Sequence, residues 1–236
     1  MSRSSRKPLL ISAGVALATV TLGLVSWQAT APEERPRDTA SASAPRTDPA
    51  AELKALARRD AGDKLALGRA DAPVVLIEYS DFKCGYCGKF ARDTEPELVK
   101  KYVEDGTLRI EWRNFPIFGA ESEAAAKAAW AAGRQDRFKA FHAAAYAEDA
   151  KAKGFGEERL TELAREAGVP DLERFKRDMA GEEAAAALRR DQEEGYRIGV
   201  RSTPSFLVNG QPLAGAQPLD AFAAAIARAE RAAAGQ

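Results

Sequence analysis

With 236 residues, the chain has material for one domain of ordinary size plus appendages, and not comfortably for two. Its 35 Lys and Arg balance 35 Asp and Glu, so it lacks the basic footprint that a nucleic-acid backbone demands. Two cysteines and a single histidine are too few to assemble a zinc site of the usual Cys and His composition.

The N-terminus carries the first signal. Residues 1–8 hold Arg3, Arg6 and Lys7 with no acid, and residues 9–27 form a 19-residue uncharged run ending at the amphipathic Trp27. That run meets the roughly 17 to 25 apolar residues needed to cross a bilayer. The basic flank then predicts a cytoplasmic N-terminus, with everything after Trp27 exported to the cell envelope. The expectation is an uncleaved, single-pass signal-anchor. The alternative is a secreted or periplasmic protein cut after Ala29-Thr30-Ala31, which would leave Pro32 at the first mature position, where proline disfavours processing. Residues 28–51 are rich in Ala, Pro, Ser, Thr and charge without apolar periodicity and read as a disordered linker, leaving 52–236 for the folded domain.

From 51 to about 61, Leu53, Leu56 and Ala57 recur at helical spacing, and 64–67 predicts a short strand. The run VVLIEY at 74–79 has the near-continuous apolar character of a strand covered on both faces, which belongs at the centre of a sheet. A helix follows from Cys84 to about Val103, with Pro96 in its interior predicting a kink near Thr94 and Glu95. TLRIEW at 107–112 alternates polar and apolar and reads as the next strand, so the crossover helix makes the two strands parallel.

Residues 120–200 are helical in character and punctuated by Gly154, Gly156, Gly168 and Gly181, which predicts four or five helices capping the sheet. SFLV at 205–208, the Asn209-Gly210 turn signal and a partner strand at 211–214 predict a hairpin. Pro218 opens a last helix with Leu219, Phe222 and Ile226 on one face. The fold class is α/β: a central mixed β-sheet flanked by helices, with an inserted α-helical domain at about 120–200.

The two cysteines stand as CGYC at 84–87, after a buried-type strand and at the first turn of a helix. Free N–H groups and the positive dipole end favour an anion there. Cys84 should therefore titrate below the free thiol's value of about 8.5 and act as nucleophile. Cys87, one turn on, is spaced to attack a mixed disulfide at Cys84 and release the partner. Gly85 and Tyr86 add no charge, so the reduction potential stays open. Haem of the c type needs His after the second Cys, and Gly88 stands there. A purely structural disulfide would close too small a loop to remove much unfolded-state entropy. No metal and no cofactor is expected.

Glu78 is the one charged residue of the central strand, six before Cys84. Burying an unpaired carboxylate is costly, so it needs a reason. One is a raised pKa that lets it take the proton of Cys87 during attack. The other is a strand-end carboxylate paired with Arg or Lys. In Ser202-Thr203-Pro204-Ser205, proline precedes a strand, and an X-Pro bond there is either a plain strand start or a cis bond exposing the Thr203 backbone to an extended substrate. His142, between Phe141 and Ala143, reads as a structural residue of the insertion.

Taken in order, VVLIEYSD at 74–81, FKCGYCGKF at 82–90, the helical insertion, STPSFLVNG at 202–210 and a closing helix resemble the DsbA-like branch of the thioredoxin superfamily, over about residues 64–229. The resemblance implies a thioredoxin fold with an inserted helical domain. It also implies a redox-active disulfide with Cys84 as nucleophile and Cys87 as resolving thiol, Pro204 as a cis-proline facing them, and Glu78 as the buried acid. Thr203, Pro204, Gly85 and Tyr86 would meet the substrate. The implied activity is protein-disulfide oxidation in exported proteins through transient mixed disulfides, by a monomer that is recharged by a membrane redox partner, either a quinone-linked oxidase or a thiol reductant. One departure stands out: the best-known oxidase of the family has Pro-His between its cysteines, whereas Gly85-Tyr86 resembles disulfide isomerases. Reductase or isomerase with the same site is the alternative, although isomerases of that kind carry a dimerisation domain for which no stretch remains. A thioredoxin-like peptide-binding or chaperone module is the non-enzymatic alternative, and it would need neither cysteine.

Overall fold

The computed structural model describes residues 49–235; the basic flank, the uncharged run at 9–27 and nearly all of the expected linker lie outside them. α1 (Pro49–Lys54) opens the described chain. It starts inside the expected linker and stops well short of residue 61. Beyond it the backbone N–H groups are diverted, since Arg58 and Arg59 both donate to the Glu111 carboxylate. Leu53, Leu56 and Ala57 still pack on the sheet.

β1 (Ala66–Leu67) and β2 (Val74–Ser80) lead into the cysteine-bearing helix. That helix runs through α2 (Gly85–Lys89), a π-helical stretch Phe90–Thr94, α3 (Glu95–Leu98) and a second π-helical stretch Val99–Val103. The disturbance expected from Pro96 takes this form: the Glu95 N–H donates to the Phe90 carbonyl, five residues back. Proline has no N–H with which to continue the four-residue ladder.

β3 (Leu108–Asn114) follows, and then the insertion: α4 (Ala120–Gly133), α5 (Phe138–Ala145), α6 (Glu157–Glu166), α7 (Leu172–Ala180) and α8 (Glu182–Arg197). β4 (Ser205–Val208), β5 (Gln211–Ala214) and α9 (Leu219–Ala234) complete the chain. The hairpin turn between the last two strands puts Asn209 and Gly210 at φ 44° and 83°, the left-handed pair that a tight turn of this hand requires. Among the described residues no helix is long and apolar enough to cross a membrane.

The sheet order is β1-β3-β2-β4-β5, with β2 at the centre, parallel to β3 and antiparallel to β4. Alternation along β2 divides the core. Val74 and Leu76 pack beneath Phe90, Leu98, Phe222 and Ile226, whereas Val75, Ile77 and Tyr79 pack with Phe115 and Val200 on the other face. Glu78 continues the row of Val74 and Leu76, so it projects toward the cysteine-bearing helix. A third core, between the insertion and the sheet with its cysteine-bearing helix, takes in Phe82, Trp112, Phe141 and both cysteines. The sheet thus delivers one acid and one turn of helix to the same spot.

α8 approaches the sheet through Gly195, where a Cβ would meet the Phe115 ring at 2.6 and 2.9 Å. Phe115 is fully buried and cannot swing away. We expect Gly195→Ala to destabilise the fold by about 1–3 kcal/mol through overpacking, despite alanine's better helix propensity. Urea unfolding measures this; an unchanged midpoint would mean that α8 shifts freely.

Candidate active site

Cys84 is the N-cap of α2, with extended backbone (φ −75°, ψ 120°). Its sulfur accepts from the Cys87 N–H at 3.4 Å, and its thiol donates to the Thr203 carbonyl at 3.2 Å. The Thr203-Pro204 peptide is cis. Gly85 and Tyr86 lie on the surface, Tyr86 being 70% exposed. Cys84, Cys87 and the Thr203-Pro204 turn are therefore contiguous, flanked by the exposed dipeptide.

The two sulfurs are electrostatically unequal. Cys84 is lowered to about 6: the hydrogen bond from the Cys87 thiol does most, burial opposes it, and the Thr203 side chain and the N–H groups of Cys87 and Tyr86 add to it. The Thr203 hydroxyl is buried without a hydrogen-bond partner. The helix N-terminus thus contributes, as expected from sequence, but behind the neighbouring thiol. Cys87 is pushed up, first by burial and then by Cys84. Accessibility follows the same order: Cys84 retains 5% of its surface and Cys87 none. At neutral pH this gives a thiolate with a limited opening to solvent, beside a protonated thiol that solvent does not reach.

Glu78 is fully buried, and neither carboxyl oxygen has a hydrogen-bond partner. Its cross-strand neighbours are Trp112 and Phe206, both apolar, so the strand-end ion pair weighed from sequence is not what forms. Burial and then the charge of Glu95 push its pKa well up; the Ser80 hydroxyl pulls the other way, and the charge of Cys84 adds a smaller rise. Glu78 therefore holds a proton at neutral pH.

Several neighbours escaped the sequence reading. Ser80, next on the Glu78 row, shares a 3.2 Å hydrogen bond with the Tyr146 hydroxyl and favours the Cys87 anion. The period-two pattern of β2 could have revealed Ser80; nothing local marks Tyr146. Asp81 accepts from the N–H groups of Lys83, Ile117 and Phe118, tying the turn before Cys84 to the loop after β3. His142 is enclosed by Phe82, Trp112, Phe138 and Tyr146. Burial lowers it to about 3, so it is neutral at pH 7. Among the described residues no group of three or more His, Cys, Asp or Glu is placed to hold a metal ion.

A dithiol at a helix N-terminus, facing a cis-proline turn on a thioredoxin-type sheet, defines a class of redox protein. Residues 60–228 match the family model described as Thioredoxin. A probable disulfide bond formation protein D from Bacillus anthracis is 32% identical over 151 residues, 61% of this chain and 69% of that one. The crystal structure of oxidised BdbD from Bacillus subtilis superposes with a TM-score of 0.66 at 24% identity, over 71% of this chain and 92% of that one. A thioredoxin-like oxidoreductase from Silicibacter pomeroyi DSS-3 superposes with a TM-score of 0.63 at 30% identity, over 72% and 97%. The chain belongs to the thioredoxin family and, within it, to the DsbA-like thiol-disulfide oxidoreductases. Its activity is protein-disulfide oxidoreduction, which sets aside the purely binding alternative.

Proposed function

We propose that the chain exchanges disulfides with exported proteins through CGYC, with disulfide formation as the working direction: a substrate thiolate attacks Cys84 of the Cys84–Cys87 disulfide and Cys87 leaves, while in the reverse and recharging direction Cys84 attacks and Cys87 resolves. The observation that carries this reading is the inequality of the sulfurs: Cys84 is held at about 6 at the N-cap, and Cys87 is protonated and buried behind it. Attack needs an anion and resolution needs a nearby nucleophile out of reach of competing thiols. Glu78 exchanges a proton with Cys87, supported by its burial without partner. The Thr203-Pro204 turn, Gly85 and Tyr86 meet the substrate segment, supported by the Thr203 carbonyl lying against the attacking sulfur. The basic flank at 1–8 and the run at 9–27 support an anchored, outward-facing domain at 52–236 on the linker 28–51; that it works as a monomer with a membrane redox partner is what the family resemblance supports.

Alkylation with iodoacetamide, read by mass spectrometry across pH, tests the inequality. Cys84 should label with a midpoint near pH 6 while Cys87 stays unmodified in the folded protein. Equal, slow labelling of both thiols at pH 7 would remove the basis for the reading. Direction is read from the redox equilibrium with glutathione: a potential towards about −120 mV supports an oxidase, and one near about −270 mV a reductase.

A further inference from the structure

The π-helical kink before Pro96 brings a second acid into the core. The Glu95 side chain is 12% exposed, and its Oε2 lies 3.6 Å from His142 Nδ1. That separation is too long for a hydrogen bond, and His142 is neutral at pH 7, so the imidazole does not compensate the carboxylate. His142 Nε2 is itself buried without a partner. The other charged group bearing on Glu95 is Lys139, also on α5. Towards the sheet the charge of Glu95 bears on Glu78, whose two oxygens are unpartnered. Facing Glu78 are also Cys84, the Ser80 hydroxyl and the Tyr146 phenol, which burial holds protonated. The two carboxyls flank the same aromatic group: His142, against Glu95, meets Trp112 edge-on at 4.8 Å, and Trp112 is the cross-strand neighbour of Glu78; one carboxyl is sealed at 0% exposure and the other lies nearer solvent.

Two such acids do not titrate independently, because ionising the outer one makes ionising the inner one harder. We propose that Glu95 is a positioning residue for disulfide exchange: its charge governs whether Glu78 carries the proton that passes between Glu78 and Cys87. The inference rests on the reading of Glu78 as the proton partner of Cys87. In the step concerned, the Cys87 S–H bond breaks and its proton goes to the Glu78 carboxylate. The Cys87 electron pair forms the bond to the Cys84 sulfur, and the Cys84–substrate S–S bond breaks with its pair leaving on the substrate thiolate. Burial lifts Glu95 to about 7, with Lys139 opposing, so its charge changes within the working range of pH.

Stopped-flow reaction of the reduced protein with glutathione disulfide separates the two phases, attack by Cys84 and resolution by Cys87. In Glu95→Gln, which removes the charge at constant volume, the midpoint of the resolving phase should move to lower pH by about one unit, a roughly tenfold gain in rate below the old midpoint. The attack phase should keep its midpoint near 6, and Glu95→Asp should stay close to wild type. An unmoved resolving midpoint in Glu95→Gln, or equal changes in both phases in the Gln and Asp variants, overturns the proposal. Glu78→Gln separates the two ideas. If it leaves resolution untouched, the proton role of Glu78 fails; if it slows resolution while Glu95→Gln does nothing, only the role of Glu95 fails. Should Glu95→Gln not fold, carboxyl 13C NMR of the wild-type protein decides, because Glu78 must show an inflection at the Glu95 midpoint, and a single-phase Glu78 curve overturns the coupling.

Discussion

Cys87→Ala should convert the protein into a trap, accumulating mixed disulfides through Cys84 that wild type releases. With the resolving sulfur gone, the captured partner leaves only by attack of an external thiol, and the site opens just 5% of Cys84 to such a competitor. A second consequence separates this from simple loss of a reactant. The Cys87 thiol is the largest contributor to the lowered Cys84 pKa, so its removal should move the alkylation midpoint of Cys84 up from about 6. The N–H groups of Cys87 and Tyr86 survive the substitution, so the midpoint should stop short of the free-thiol value of about 8.5. Cys84→Ser, by contrast, should abolish exchange, by about three orders of magnitude or more, because a serine hydroxyl has no comparable anion population at neutral pH. Non-reducing gels of each reduced variant with an unfolded substrate protein that carries a disulfide read both outcomes, because Cys84 then captures one substrate sulfur and the other leaves as the thiolate. An absence of trapped partner in Cys87→Ala would mean that resolution does not run through Cys87.

The elements that sequence made legible were those whose pattern has one cause. The apolar run of β2 could be satisfied only by cover on both faces, and Asn209-Gly210 only by a left-handed turn. CGYC and Glu78 were conspicuous because two cysteines and one acid stood where composition alone would place neither. What stayed hidden was whatever depends on distant chain segments. Glu95 entered the sequence only as the place of the Pro96 kink, and its burial against the insertion depends on His142, 47 residues on. Tyr146, 66 residues from its partner Ser80, has no local mark at all. The cis state of Thr203-Pro204 was one of two options from the residues and was favoured only by family resemblance.

β3 shows the same limit more sharply, and it carries the largest expected effect on stability. Alternation in TLRIEW is the pattern of a strand with one wet face, yet all seven residues of β3 are buried. Its polar row, Arg109, Glu111 and Arg113, lies beneath the segment after α1 and against α8. There Glu111 accepts from the N–H groups of Arg58 and Arg59, from Arg109 Nε and from Arg113 Nη2, at 2.8 to 3.0 Å. Arg113 also pairs with Glu194, and Arg58 with Asp191. Glu111→Ala should therefore cost about 3–5 kcal/mol, because it takes one of two carboxylate partners from the fully buried Arg113, the carboxylate partner from Arg109, and the acceptor from two backbone donors.

On a domain of this size that loss lowers Tm by roughly 10 °C, measurable by calorimetry. The pH dependence gives an independent signature. Burial alone would raise the Glu111 carboxyl, but the Arg58 N–H and the guanidinium groups of Arg113 and Arg109 hold it down at about 2, against 4.5 unfolded. A depressed folded pKa stabilises above the unfolded value, and the gain disappears as pH falls from about 4.5 towards 2. Asp191, raised by burial, has the opposite slope over its own range and so partly masks the decline in wild type. The difference between wild type and Glu111→Ala cancels that masking: it should be greatest above pH 5 and shrink steadily towards pH 2. A difference that stays constant with pH would show that the cost is one of packing, with the carboxylate charge contributing nothing.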